Sequence, residues 1–303
     1  MTESRVIVRV PASSANLGPG FDALGLALDL YDEVEATLAE RTGVDVEGEG
    51  EGEVPPGEGH LIVKTMRAAF DRMGVPQPPG IRLRCVNRIP HARGLGSSSA
   101  AICAGILAAR ALTEENSRLS DDEVFALATE LEGHPDNVAP CLSGGLTIAW
   151  TNRSGTPGKI TLTPHEDIRP VVLVPSERLS TELARGLLPK DVPHADAAAN
   201  AGRAALLIAA LTQRPRTELL LVATEDRLHQ DYRAPAMPGT ADLVKRLRAA
   251  GVPAVVSGAG PTVLAFLPMD KQDLIGSEVG SNWHIQPLNV DRVGAVVQFP
   301  ETR

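Results

Sequence analysis

Residues 90–100 read PHARGLGSSSA and run directly into the apolar stretch AICAGILAARAL. Gly94 and Gly96 flank a single leucine, and Ser97, Ser98 and Ser99 follow. Glycines in such a turn reach positive φ and let backbone N–H groups converge on an anion. A helix starting near Ser98 adds unsatisfied N–H groups and a positive dipole end, which suit a phosphate. Serine hydroxyls can bond phosphate oxygens or ligate Mg2+. The stretch lacks the lysine of G-x-x-x-x-G-K-[ST], and Ser99 stands where G-x-G-x-x-G needs its last glycine, so neither common nucleotide fingerprint fits. Taken alone, the loop is explained as well by a serine cap after a glycine turn.

Three further stretches change that balance. PASSANLGPGFD (11–22) sets Ser13, Ser14, Asn16 and Asp22 on a glycine-bearing turn, side chains able to grip a small polar substrate. EGHPDNVAP (132–140) brings Glu132, His134, Asp136 and Asn137 close together in the chain. One histidine is too few for a zinc cage, but a carboxylate beside a phosphate loop can hold Mg2+ through oxygen. SGAGPTVLA (257–265) makes a second tight backbone turn at Gly258 and Gly260. Each stretch is weak by itself; together they form one set.

These residues need elements to position them. SRVIVRV alternates with period two and reads as an opening strand, and DEVEATLAE as a weaker continuation of a sheet. GVDVEGEGEGEVPPGEG is acidic and glycine-rich and reads as a solvated loop or hairpin tip. HLIVKTMRAAFDRMG predicts a helix stopping at Gly74, and IRLRCVNRI a strand that delivers the chain to the glycine-serine loop. SDDEVFALATELEG carries a capping box, Ser120 with Glu123, at the start of another helix. GGLTIAW reads as a strand. After Trp150 the texture changes to the polar TNRSGTPGK, then the buried strand PVVLVP. DAAANAGRAALLIAALTQ, TELLLVATEDRLHQ and TADLVKRLRAAG predict three helices. PAVVSGAGPTVLAFLP reads as strand, turn, strand, and WHIQPLNVDRVGAVVQF as two closing strands around a turn. The expected division is two domains, 1–160 and 161–303.

Composition excludes several classes. The chain has 303 residues and a formal net charge of −9, with no cluster of Lys and Arg to meet a nucleic-acid backbone. No apolar run approaches the roughly 20 residues of a membrane span, and MTESRVIVRV has no signal-peptide core. Cys85, Cys103 and Cys141 are scattered without ligand spacing and read as small buried hydrophobes in a reducing compartment. A cytoplasmic protein without nucleic-acid or membrane partners is expected.

PHARGLGSSSA resembles the ATP-phosphate loop of the GHMP kinases, the family named for galactokinase, homoserine kinase, mevalonate kinase and phosphomevalonate kinase. PASSANLGPGFD resembles that family's first motif and SGAGPTVLAFLP its third, so the resemblance runs the length of the chain. Within the family, PASSANLGPGFDALGLAL, EGHPDNVAP, STELARGLLP and RLHQDYRAPAMPG are similar to the members that phosphorylate the side-chain hydroxyl of L-homoserine on the route to threonine. The resemblance implies an α+β fold, with an N-terminal domain like ribosomal protein S5 domain 2 and a ferredoxin-like C-terminal domain. It implies ATP phosphates wrapped by Pro90, His91, Ala92, Arg93, Gly94, Leu95, Gly96, Ser97, Ser98, Ser99 and Ala100. Mg2+ would meet Ser98 and a helical glutamate, for which Glu130 and Glu132 are both candidates and Glu130 is favoured. L-homoserine would meet Asn16, Asp22, His134, Asn137, Arg185, Arg233 and Gly260, with Asn137 and Arg233 also serving catalysis. Asparagine cannot act as a base, so alignment and charge stabilisation are expected to carry the transfer. Relatives are often dimers, which makes a homodimer the expected assembly.

Overall fold

The computed structural model describes residues 5–267, 275 and 278–300. The opening strand β1 (Arg5–Ala15) continues through the PASSA segment, so Ser13 and Ser14 are strand residues rather than part of a turn. It pairs antiparallel with β2 (Leu24–Ala39), and β2 pairs antiparallel with β4 (Gly80–Asn87). The acidic run expected as a loop holds a strand, β3 (Gly43–Gly48), lying parallel to β4. Its Val44 is buried and Val46 packs beside the same core, an alternation that the surrounding Gly and Glu residues obscure. The helix α1 (Leu61–Met73) joins β3 to β4, capped by the His60 imidazole and ended by Gly74 in the left-handed conformation.

Beyond β4 the chain makes the glycine-serine loop and enters α2 (Ser97–Ala111), then α3 (Asp121–Glu132) and the short α4 (Val138–Ser143). The Ser120–Glu123 capping box is formed in full. α2 is buried from Ile102 to Ala109, which its Ala and Gly residues permit by letting neighbours approach on every face. A methyl group on Gly105 would lie 2.9 Å from Thr65 Cβ and 3.0 Å from the Ile62 carbonyl, so α1 and α2 meet with no room for a side chain. Each fully buried Ile or Leu in this layer contributes roughly 1.5–3 kcal/mol. β5 (Leu146–Thr151) pairs with β2, and β6 (Pro157–Leu162) pairs with β5.

A second sheet runs β10-β7-β9-β8, built from β7 (Pro170–Pro175), β8 (Ala254–Val256), β9 (Val263–Phe266) and β10 (Trp283–Pro287). All its pairs are antiparallel. In its own chain order this is 4-1-3-2, the ferredoxin-like arrangement. Between β7 and β8 lie α5 (Thr181–Gly186), α6 (His194–Thr212), α7 (Thr217–Ala223), α8 (Gln230–Arg233) and α9 (Pro238–Ala249). The helix expected over TELLLVATEDRLHQ is therefore broken after Ala223. The break has a visible cause: the Asp226 carboxylate accepts the N–H groups of Leu228, His229 and Gln230, replacing helical bonds with a tight turn.

The two closing strands do not form a hairpin. β10 joins the second sheet, whereas β11 (Val296–Gln298) returns to the first and pairs with Ile7–Arg9 of β1. The change of sheet falls between Leu162 and Pro170, and the tail crosses back. The three cysteines are free and buried, and burial pushes the Cys85 thiol up to about 12.

Candidate functional site

The glycine-serine loop is tied down through its carbonyls. Leu179 N–H donates to Ala92 O (3.0 Å), Thr262 N–H to Arg93 O (3.3 Å) and Ser13 N–H to Leu95 O (3.1 Å). Ser257 Oγ donates to Gly94 O (2.6 Å), and Ala100 N–H to Gly96 O (2.9 Å). With these oxygens turned outward, the helix begins at Ser97, and its first N–H groups have no side-chain cap. The glycines are required by space as well as by φ. A methyl on Gly94 (φ +75°) would stand 2.2 Å from Ser257 O, and one on Gly96 (φ +72°) 2.1 Å from Ser13 Oγ. The turn anticipated at Gly258 and Gly260 is thus the partner that presses the loop into shape. Arg93 faces away, donating to the carbonyls of Pro175, Ser176 and His91, and anchors the loop to the end of β7.

The two candidate glutamates are separated by the geometry. Glu132, the last residue of α3, accepts from Ser98 Oγ through Oε2 (2.8 Å) and from Ser99 Oγ through Oε1 (2.7 Å). Glu130, favoured from the sequence, points the other way and pairs with Arg72 at the surface (2.6 Å). Residues two apart on a helix lie about 200° around it, so both cannot face the loop. Of the two candidates, Glu132 is the one that touches the loop serines. Hydroxyl and carboxylate oxygens at one spot are hard donors that fit Mg2+, a cation that keeps water and phosphate among its ligands. No cluster of three or more His, Cys, Asp or Glu residues suited to a metal exists among the described residues.

A cavity of about 240 Å³ opens beside the serines. Ser97, Ser98 and Glu132 line it, together with Asn16, His134, Asp136, Asn137, Arg185 and Arg233. Asn16, at φ +69°, spans the turn: its Nδ2 donates to Gly258 O (2.8 Å) and its Oδ1 accepts from Asp22 N–H (2.9 Å). Asn137 Oδ1 accepts from Ser13 Oγ (2.9 Å). His134 Nδ1 lies 2.7 Å from the buried Asp136 carboxylate; burial lowers the imidazole pKa, but the Asp136 contact outweighs it and the net shift is upward.

Asp22 and Arg185 form a bidentate pair at 2.8 and 3.2 Å, each about one third exposed. Burial opposes the Arg185 charge, yet the Asp22 contact holds its pKa above the usual value. Arg233 is 1% exposed. It donates to Ala184 O, Gly258 O and His229 Nδ1 (3.2–3.3 Å) and lies 5.3 Å from the centre of the Phe21 ring. Burial and the nearby Arg185 charge push it down from its ordinary value. His229 is fully buried, stacked on Phe21 at 5.2 Å, and burial lowers its pKa. With Nε2–H donating to Gly18 O (2.8 Å), its neutral Nδ1 accepts from Arg233.

Most of the residues anticipated from the sequence therefore converge. Gly260 does not face this cavity: Gly258 and Ala259 do, while Gly260 backs onto Met237. Leu95, Ser99 and Ala100 are buried beneath the loop. Phe21, Asp226, His229 and Ser257 were missed. His229 and Asp226 carry no motif of their own, because their work is to hold Arg233 and its turn.

A second cavity, about 330 Å³, shares Ser97 and Ser98 with the first and extends behind the loop. Val10, Val34, Val54, Pro55 and Leu61 make it apolar, with Asp32, His60, Asn87 and His91 as polar points.

The sequence profile described as GHMP kinases N terminal domain matches residues 60–145, and that described as GHMP kinases C terminal matches residues 197–285. A homoserine kinase of Streptomyces coelicolor is 58% identical over 294 residues, covering 96% of this chain and 94% of its own length. One from Clavibacter michiganensis is 53% identical, covering 98% of this chain and 95% of its own. The crystal structure of homoserine kinase from Cytophaga hutchinsonii superposes with a TM-score of 0.83 at 26% identity over 98% of both chains.

Proposed function

The chain belongs to the GHMP kinase family, and from that premise we propose that its cleft aligns Mg2+-bound ATP with L-homoserine. The protein is an ATP-dependent phosphotransferase with a hydroxyl acceptor, acting as a homoserine kinase that yields O-phospho-L-homoserine. The observation that carries this reading is that one cavity is lined both by Ser97, Ser98 and Glu132 and by Arg185 and Arg233. The first group suits phosphate and its cation, the second an amino acid.

ATP phosphates lie against the uncapped N–H groups of Ser97–Ser99, where the helix end stabilises negative charge. The adenine occupies the apolar cavity that shares Ser97 and Ser98. Ser98 and Glu132 would hold Mg2+, which would supply positive charge near the transferring phosphoryl group. An α-amino acid laid across the Asp22–Arg185 pair meets an anion at its ammonium and a bidentate cation at its carboxylate. Arg233, kept rigid by Phe21 and His229, adds a second fixed positive charge.

Asn137 Oδ1 is occupied by Ser13, which leaves Nδ2 to orient the acceptor hydroxyl. The hydroxyl oxygen bonds to the γ-phosphorus as the β,γ-bridging P–O bond breaks, and its proton leaves to a phosphoryl oxygen. Asp136 is committed to His134, so alignment and charge carry the step, which suits a loose phosphoryl transition state.

The reading is tested by kcat/KM for L-homoserine, D-homoserine, L-threonine and mevalonate with Mg2+ and ATP. It expects strong preference for L-homoserine; equal turnover of mevalonate, which has no ammonium for Asp22, contradicts it. Absence of a membrane-crossing helix among the described residues and the buried free cysteines support a cytoplasmic setting. The expected homodimer belongs to the same reading and is tested by sedimentation.

A further inference from the structure

Asp32 lies on β2 at the wall of the apolar cavity behind the glycine-serine loop, and it is 6% exposed. Its two oxygens are used unequally. Oδ1 accepts two backbone N–H groups, from Arg88 (2.6 Å) and Ile89 (2.9 Å), and so fixes the start of the loop. Oδ2 has no hydrogen-bond partner among the described residues, and it is not one of the sealed, unpaired buried atoms. It therefore opens onto the cavity that Asp32 lines.

Anchoring two N–H groups needs one acceptor oxygen and no charge; an asparagine would serve. A buried carboxylate without a cationic partner is costly, and Asp32 forms no ion pair among the described residues. His60 and His91 share its cavity, and burial lowers the pKa of both, so neither supplies a ready counter-charge. The second oxygen is open to a donor from the cavity, and a ligand bound there can bring one.

We propose that Asp32 Oδ2 reads the nucleobase by accepting an N–H of the adenine exocyclic amino group. The inference rests on the adenine position proposed above. Valines, proline and leucine around the cavity hold a flat ring but cannot tell one purine from another. The 6-position is where purines differ: adenine presents an N–H donor, whereas hypoxanthine and guanine present a carbonyl oxygen. A carboxylate oxygen accepts from the first and repels the second. In Asp32→Asn, with Oδ1 still holding Arg88 and Ile89, the amide nitrogen faces the cavity and reverses that preference.

The test is calorimetric binding of Mg2+ complexes of ATP, ITP and 2′-deoxy-ATP to the wild-type chain, Asp32→Asn and Asp32→Ala, without acceptor. The wild type should bind ATP about tenfold or more tightly than ITP, the value of one hydrogen bond to a charged group. Asp32→Asn should lose about tenfold on ATP and gain on ITP, so their ratio falls by about a hundredfold. Asp32→Ala should flatten the ratio. An ATP-to-ITP ratio unchanged in both variants overturns the proposal and leaves Asp32 as a loop anchor. Asp32→Asn penalising ATP but not 2′-deoxy-ATP also overturns it, placing the contact at the ribose. Wild-type comparison of ATP with ITP stands even if a variant fails to fold, and equal affinities there end the idea. Turnover with L-homoserine is followed separately: nucleotide discrimination without turnover contradicts the kinase reading, not the base contact.

Discussion

Replacing Asp32 with asparagine should stabilise the fold in a pH-dependent way. Burial raises the Asp32 pKa from 3.8 to about 6, with Glu49 adding to the rise and the Ile89 and Arg88 N–H groups and the Arg88 charge opposing it. A carboxyl whose folded pKa lies above its unfolded pKa favours folding while protonated. Its contribution is full below pH 3.8 and is lost as pH rises through about 6. At about 1.4 kcal/mol per tenfold change in proton affinity, the gap amounts to about 3 kcal/mol at neutral pH. Asparagine keeps the acceptor for Arg88 and Ile89 and carries no charge at any pH. The gain of Asp32→Asn over wild type should therefore be near zero at pH 4 and grow to about 3 kcal/mol by pH 7. Urea unfolding of both proteins at several pH values between 4 and 8 measures it. A difference that stays flat with pH, or a variant less stable than wild type at pH 7.5, refutes the account of Asp32 as an ionised, under-bonded carboxylate.

Glu132→Gln should lower kcat by about 10²–10³, as loss of a group stabilising transferring charge does, and raise the Mg2+ needed for half-maximal rate. Glu130→Gln, which breaks only an exposed pair with Arg72, should leave turnover unchanged and cost at most about 1 kcal/mol; equal loss of rate in the two contradicts the assignment. Gly94→Ala combines left-handed strain of about 1–2 kcal/mol with overpacking of about 1–3 kcal/mol against Ser257; a stability loss under about 0.5 kcal/mol in urea denies that the two turns are pressed together. Asp136→Asn should reduce kcat by less than about 10³ with homoserine affinity retained, since a positioned base is worth about 10²–10⁴; a larger fall makes Asp136 the proton acceptor.

What the sequence made legible follows from how local each device is. The glycine-serine loop could be read because its requirements are written in consecutive residues: glycines at positive φ, then serines opening a helix. The capping box of α3 was legible for the same reason. Glu132 was not, since two acidic residues at a helix end differ only in which face meets α2, a matter of tertiary packing. Arg185 and Arg233 were named by resemblance; nothing local distinguishes a buried guanidinium from a surface charge until Phe21 and His229 close around it. The helix break after Ala223 was hidden because its cause is a buried carboxylate rather than a glycine or proline. β3 was hidden by composition, with its apolar pair set among glycines and glutamates. The departure of β11 from the second sheet to the first has no local signature at all.

The central claim is that one cavity brings the ATP γ-phosphoryl and the side-chain hydroxyl of L-homoserine into line. Phosphorus NMR of the purified protein with Mg2+, ATP and L-homoserine tests it most directly. Stoichiometric ADP and one phosphomonoester, whose phosphorus couples to the methylene protons of the former alcohol, are expected. ADP accompanied only by inorganic phosphate, or a phosphorylated product lacking that coupling, contradicts it.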